Sequence, residues 1–400
     1  MSALQTPARH VAGLDGATYD LLGVEDLLSD EERAVRDVVR RLVHDQLEPN
    51  VAGWFESGTI PRQLATTFGE LGLLGMHLQG YGCAGTSAVA YGLACLELEA
   101  CDSGLRSFVS VQGSLAMAAI AKFGSEEQKQ RWLPPMAAGE AVGCFGLTEP
   151  DHGSSPGDMA TRATRRGAGY VLSGTKMWIT NGGIADVAVV WARADDGIRG
   201  FIVPTDTPGF STASVPPKLS LRASVTSELI LDEVELPAEA MLPNVRGLRG
   251  PLSCLDEARY GILWGVLGAA RTCFVTALDY AKGRVQFDRP IAGFQLTQQK
   301  LVDMVLELDK AMLLALHLGR LKEAGQITPQ QISLGKMSNV RTAIDIARQA
   351  RTVLGANGIT LAYPVMRHMN NLESVLTYEG TSEIHTLVLG EALTGIAAYR

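Results

Sequence analysis

Six cysteines occur in this 400-residue chain (Cys83, Cys95, Cys101, Cys144, Cys254, Cys273), but none forms a C-x-x-C pair or has histidines at ligand spacing. That absence argues against structural zinc, and a chain of this length needs no disulfide framework. Cys95, Cys144 and Cys254 lie among apolar neighbours and read as small buried hydrophobes, with the thiols reduced. No run of Lys and Arg offsets the net charge of −8, which argues against a duplex nucleic-acid binder. No apolar run approaches membrane-spanning length, and the first residues lack a charged region followed by an apolar one. The expectation is a soluble, cytoplasmic protein without a resident metal. A G-x-G-x-x-G phrase and βαβ alternation are also missing, which sets a Rossmann domain aside.

What is present falls into three rhythms. Residues 1 to about 27 are rich in Gly, Ala and Thr and read as a loosely ordered arm. A helix then starts at Ser29-Asp30, carries Val35, Val38, Val39, Leu42, Val43 and Leu47 at helical spacing, and stops at Pro49. Further helical runs cover Ala88 to Ala100 and Glu126 to Ala138. Near Gly143 short strand-like pieces take over: Tyr170–Leu172, Met177–Thr180, Val187–Ala192, Gly200–Val203 and Glu228–Leu231, with Gly-rich turns between them. From about Gly250 long helices return at Tyr260–Ala281, Leu296–Ala324 and Thr328–Leu354, and a final run, Glu383–Ala398, completes a four-helix bundle. The order predicts an α+β multidomain chain. Residues 1–142 form an N-terminal α-helical domain, 143–250 a middle β-barrel domain and 251–400 a C-terminal four-helix bundle.

Two phrases near the C-terminus carry chemistry. Leu354-Gly355-Ala356-Asn357-Gly358 puts two glycines where a helix should stop, so backbone can approach a bound group closely. Tyr378-Glu379-Gly380-Thr381 puts one carboxylate on a short loop before another helical run. A carboxylate placed there has the reach a general base requires. On spacing alone a solvated loop glutamate is the simpler reading; the motifs upstream overturn it.

Cys144-Phe145-Gly146-Leu147-Thr148-Glu149-Pro150, followed by Gly153-Ser154, and Lys176-Met177-Trp178-Ile179-Thr180-Asn181-Gly182 resemble the two flavin-site segments of acyl-CoA dehydrogenases. The helix–barrel–bundle order resembles that family's three-domain fold, from about residue 25 to the end. Within the family the chain is most similar to the glutaryl-CoA dehydrogenase subfamily. The residues behind that narrower likeness are Glu99, Asp102-Ser103-Gly104-Leu105-Arg106-Ser107, Ser220-Leu221-Arg222-Ala223-Ser224, Ala258-Arg259-Tyr260-Gly261 and Asn371-Leu372-Glu373-Ser374.

The resemblance implies an FAD-dependent oxidoreductase that removes an α proton with Glu379 and passes the β hydrogen as hydride to the flavin N5. It implies that the Glu379 backbone N–H helps polarise the thioester carbonyl, where preorganised donors matter most. For FAD it implies Phe145, Leu147 and Thr148 along the ring system, with Trp178, Ile179 and Thr180 at its other edge. Arg284, Gln286, Phe287 and Gln295 would reach the FAD of a neighbouring subunit, and Thr352, Val353, Leu354, Gly355, Ala356, Thr381, Ser382 and Glu383 would complete that shell. A homotetramer follows from such sharing. For the acyl-CoA substrate it implies Ser154, Leu252, Asp256, Arg259 and Gly380. A lone Trp178 would otherwise read as a barrel-core aromatic, and Arg259 as a helix-surface cation.

Arg106 and Ser107 would receive the second carboxylate of a glutaryl chain, because a buried bare charge is very costly. Glu99 lies seven residues earlier, on the same face if one helix spans both, and would steady the guanidinium. A surface Glu–Arg pair is the plainer alternative. The reaction implied is oxidation and decarboxylation of glutaryl-CoA to crotonyl-CoA, in lysine and tryptophan degradation, with electrons passed to an electron-transferring flavoprotein. Three positions depart from the family pattern. Ala356 stands for a glycine, Ser155 for an aspartate and Leu105 for a tyrosine. Rival readings are a dehydrogenase of another short-chain or carrier-bound acyl thioester, and a non-enzymatic flavin- or CoA-binding relic.

Overall fold

Ser29 starts the first helix by a reciprocal cap: its hydroxyl accepts from the Glu32 N–H, and the Glu32 carboxylate accepts from the Ser29 N–H at 2.8 Å. The computed structural model describes residues 19–398. Helix α1 (Asp30–Leu42) runs through a wide π-type turn, Val43–Leu47, into α2 (Glu48–Ser57). Pro49 therefore opens a helix instead of ending one. It occupies the first turn, where a missing N–H costs nothing. Most of the expected N-terminal arm lies outside the described residues. Its end is ordered: Val24–Leu27 forms a 3-10 turn, Val24 is buried, and the Asp20 carboxylate accepts from the Val24 and Glu25 N–H groups.

The helical domain continues with α3 (Leu64–Glu70), α4 (Ala88–Cys101), α5 (Ser103–Ser110), α6 (Ala118–Phe123) and α7 (Glu126–Ala137). Helix α4 is buried along nearly its whole length, so its sequence is apolar nearly all round, and its two glutamates, Glu97 and Glu99, are buried in ion pairs.

The middle domain is one bent seven-stranded sheet: β1 (Gly143–Gly146), β2 (Arg162–Arg166), β3 (Gly169–Thr180), β4 (Val187–Ala194), β5 (Gly197–Pro204), β6 (Phe210–Ser214) and β7 (Thr226–Leu236). The two expected pieces at 170–172 and 177–180 are a single strand, β3. It pairs antiparallel with β7 and slips register between Leu172 and Gly174 and between Lys176 and Ile179. Strand β5 pairs with the outer edge of β4, and β6 with β7, so the sheet forms an open half-barrel. One face joins the helical core through Phe145, Val189 and Trp191; the other encloses a smaller core around Leu172, Val190, Phe201 and Leu229.

Helix α8 (Arg249–Gly283) is long and apolar enough to cross a membrane by length and composition, yet it is mostly buried at the centre of the C-terminal domain. After a small hairpin, β8 (Val285–Gln286) and β9 (Arg289–Pro290), come α9 (Gln295–Glu323), α10 (Pro329–Val353), α11 (Val365–Thr377) and α12 (Ser382–Thr394). The bundle closes with α11, a helix absent from the sequence reading. Arg367, His368 and Asn371 are buried polar residues that interrupt its apolar stripe. The expected fourth helix, α12, lies outside against α10, and only His385 on it is buried.

Candidate active site

Glu379 sits on the turn between α11 and α12 with φ of 53°, in the left-handed region that a side chain occupies only at a cost. Gly380 follows at φ 94°, and Thr381 caps α12 by accepting from the Ile384 N–H. Cations hold all three successive carbonyls of this turn. Lys336 Nζ donates to the Tyr378 oxygen at 2.8 Å and to the Gly380 oxygen at 2.6 Å. Arg259 Nε donates to the Glu379 oxygen at 2.8 Å, and Asp256 steadies that guanidinium at 2.9 Å. The Glu379 Oε2 atom is buried without a protein partner. Burial pushes the carboxyl above its usual range, while Arg106, Arg259 and Lys336 pull the other way.

Arg106 lies behind the same turn. Its Nε donates to Glu99 Oε2 at 2.6 Å and its Nη2 donates to the Tyr378 hydroxyl. Ser103 donates to the other Glu99 oxygen at 2.7 Å. Both members of the ion pair are buried, which answers the surface-pair alternative. The condition attached to that pair, one helix spanning both residues, is not met. No single helix runs from Glu99 to Arg106, because Asp102 adopts an extended conformation and breaks α4 from α5. The Asp102 carboxylate accepts from the Gly104 N–H at 2.8 Å, from Arg367 at 3.0 Å and from Asn371 at 2.9 Å. The break thus becomes a joint between α5, which carries Arg106, and α11, which leads into Glu379. The Ser107 hydroxyl is buried beside Tyr378.

That joint also receives the middle domain. The Leu221 N–H donates to the Asn371 side chain at 2.8 Å, and the Ser220 and Ser374 hydroxyls lie 2.5 Å apart. Three segments that carried the narrower likeness, at 102–104, 220–224 and 371–374, therefore meet at one hydrogen-bonded joint between the helical domains and the middle domain.

The cofactor residues divide into two groups. Thr148 is half-buried, but the Phe145 and Leu147 side chains point into the core, where Phe145 packs on Trp191, so only their backbone can face a ring. Trp178 is lifted out of β3 at the second register slip, with φ of 63° and 57% of its surface exposed. A large indole held strained and uncovered beside Thr180 fits a flat ring laid against it. Ile179 is buried beneath. The second group gathers at the far end of the bundle. Gln286, Phe287, Thr352 and Val353 line a cavity of about 290 Å³, with Ile291, Phe294, Thr297 and Lys300. Arg284 and Gln295 are exposed nearby in sequence, as are Gly355 and Ala356, while Leu354 is buried. Within the protomer Thr381, Ser382 and Glu383 lie apart from this group, at the start of α12 beside the turn that bears Glu379. Leu252 shares the α8 face of Asp256 one turn earlier, whereas Ser154 stands on an exposed loop.

Sequence reasoning missed Lys336, Tyr378 and Gly265. Lys336 belongs to α10, remote in the chain from either motif. A Cβ at Gly265 would lie 2.3 Å from Glu99 Oε2, so α8 admits the buried ion pair only because no side chain is there. An apolar helix interrupted by glycine opposite a charged pair was the available signal.

A buried carboxylate oxygen on a clamped turn, with a buried guanidinium behind it, and an exposed indole on the strand of the middle domain that follows the 145–149 segment are the features of a flavin-dependent acyl-CoA dehydrogenase. Family profiles for the N-terminal, middle and C-terminal domains of acyl-CoA dehydrogenases match residues 29–140, 144–234 and 245–394, and the chain belongs to that family. Its cofactor is FAD. Among solved structures it is similar to glutaryl-CoA dehydrogenase from Mycobacterium smegmatis, at 68% identity and TM-score 0.94 over 95% of this chain and 98% of that one. A glutaryl-CoA dehydrogenase from the same organism in complex with FADH2 is 63% identical, with TM-score 0.95 over 96% and 100%. The human mitochondrial short-chain specific acyl-CoA dehydrogenase is 35% identical over 93% of this chain and 92% of its own.

Proposed function

We propose that this chain oxidises and decarboxylates glutaryl-CoA to crotonyl-CoA, with Glu379 as the base. The observation that carries this reading is the buried Arg106, joined through the Tyr378 hydroxyl to the turn that bears Glu379. Glu99 neutralises one edge of the guanidinium, and the buried Ser107 hydroxyl beside Tyr378 offers a further donor to a distal carboxylate. Glu379 removes the α proton, and the Glu379 backbone N–H, which meets no protein acceptor among the described residues, is free to polarise the thioester carbonyl. FAD, when bound, accepts the β hydrogen as hydride. Glu379, now protonated in a site that disfavours its charge, holds the proton needed at carbon once carbon dioxide has left.

The protomer supports a shared cofactor site. Lys336 and Thr352 lie sixteen residues apart on α10, about 24 Å along its axis. The cavity at 286–300 therefore sits far from the base turn of its own chain. A homotetramer in which this end reaches a neighbour's FAD accounts for both groups, and an electron-transferring flavoprotein is the electron acceptor that fits the family.

Anaerobic mixing with a panel of thioesters tests the substrate. Glutaryl-CoA should bleach the flavin fastest and yield crotonyl-CoA by mass. Equal or faster bleaching by butyryl-CoA would favour a short-chain monocarboxylyl substrate instead. Glu379→Gln should retain FAD and lose bleaching.

A further inference from the structure

Lys336 is fully buried, and among the described residues its ammonium donates to the carbonyls on either side of Glu379. Its position is over-determined. One turn later Asn339 donates to the Leu263 carbonyl at 2.8 Å and so ties α10 to α8. One residue earlier, a Cβ at Gly335 would come within 2.4 Å of Leu318 on α9. Helix α10 is thus held against α8 and α9 where Lys336 leaves it, so the ammonium reaches the turn from a fixed backbone position.

Consider what the turn would do without it. A glutamate relaxes readily from φ of 53° toward negative φ, and that rotation swings the peptide N–H and the carboxyl together. With the 378, 379 and 380 carbonyls all bound from behind, the rotation would break buried charge-assisted bonds. The Glu379 N–H meets no protein acceptor among the described residues. We infer that Lys336 is a positioning residue for proton abstraction: by binding the Tyr378 and Gly380 carbonyls it holds Glu379 in its left-handed conformation and aims both its carboxyl and its N–H at the substrate. This rests on the reading of Glu379 as the base.

Several charged or titratable groups surround the ammonium: Glu379 and Tyr378 on the turn, Arg259 on α8, Arg106 on α5 and His385 on α12. Burial pulls Lys336 down to about 7; Glu379 opposes this, and Arg259 and Arg106 add to it. A neutral amine still donates to both carbonyls, so the geometric role survives loss of the charge. The electrostatic pull on Glu379 does not.

Exchange of the acetyl-CoA methyl protons in D2O separates these roles, because acetyl-CoA has no β carbon and proton abstraction is seen alone. The measurement uses FAD-loaded wild-type protein, Lys336→Met, Lys336→Gln and Glu379→Gln across a pH series, with bound FAD followed by absorbance. Met, which has no donor, should lower the plateau rate about tenfold or more. Gln, whose amide can meet the carbonyls without a charge, should keep most of the plateau. Both should move the rising limb to higher pH, because removing a neighbouring cation raises a carboxylate's pKa. Wild-type plateau and limb in the Met variant, with Glu379→Gln inactive, overturn the inference and leave the base intact. Undiminished exchange in Glu379→Gln overturns the base itself. Loss of FAD from both Lys336 variants also overturns the inference, since it makes Lys336 a residue of the general fold.

Discussion

At Glu379 burial and charge oppose each other. Burial raises the carboxyl's pKa, and three cations limit the rise without cancelling it. Proton abstraction requires the ionised form, so the rate of flavin reduction should fall as pH drops through a value above the usual carboxylate range. A limb at an ordinary glutamate value would show the site to be wetter than its geometry implies. Arg106 makes a different demand, since its charge is permanent and its neutralisation by Glu99 already complete at one edge. Replacing Arg106 with Ala should lower kcat/KM for glutaryl-CoA by about 3–5 kcal/mol and for butyryl-CoA much less. A uniform loss for both would mark the pair as scaffold. The pairing of Glu99 with Arg106 was legible in the sequence because each stood in a recognisable phrase. Lys336 was not, because a lysine midway along an amphipathic helix reads as solvated until the loop it serves is folded against it.

Among elements, the break at Asp102 matters most. An unbroken helix would carry Arg106 past Glu99 on a fixed face; the interruption turns α5 so that its guanidinium meets Tyr378. Gly265 on α8 makes room for the result. Gly265→Ala should displace Glu99, leave FAD bound and reduce the preference for glutaryl-CoA over butyryl-CoA, read from the ratio of their kcat/KM values. In the sheet, Lys176 on β3 donates to Glu149 at 2.7 Å and to the Leu147 carbonyl, which pins the segment before Thr148 to the strand that carries Trp178. Burial alone would raise the Glu149 pKa, but Lys176 and the Ala160 and Thr161 N–H groups override it and hold it at about 2. A depressed carboxylate stabilises the fold fully above its unfolded value near 4.5 and loses that contribution as pH falls toward 2. Glu149→Gln should therefore flatten the acid side of the FAD-release profile between those limits. An unchanged profile would place the acid sensitivity elsewhere.

Across the whole molecule, apolar residues left uncovered on the protomer point to assembly. Phe287 sits at a two-residue hairpin tip with 88% of its surface exposed, and Leu296, Val302 and Leu306 lie exposed along α9. On the homotetramer proposed above, Phe287→Ser should shift the holoenzyme from a mass four times that of the chain toward smaller species, with weaker FAD retention, by light scattering and absorbance. A monomeric wild-type protein with tightly held FAD would refute the shared site.

The amino-acid sequence by itself determined the succession of helices, strands and helices, because periodicity and turn residues are local properties. It also picked out the turn that bears Glu379 and two of its cations, Arg106 and Arg259, because each stands in a recognisable phrase, while Lys336 stands in none. Tertiary structure alone decided that α11 closes the bundle, since its buried Arg367, His368 and Asn371 look like surface residues until Asp102 arrives from the far end of the chain. It alone decided which cofactor residues share a neighbourhood, separating 381–383 from 352–356 by the length of a helix. Partners drawn from distant segments satisfy buried polar groups only after packing, and no pattern along the chain records which segments will meet.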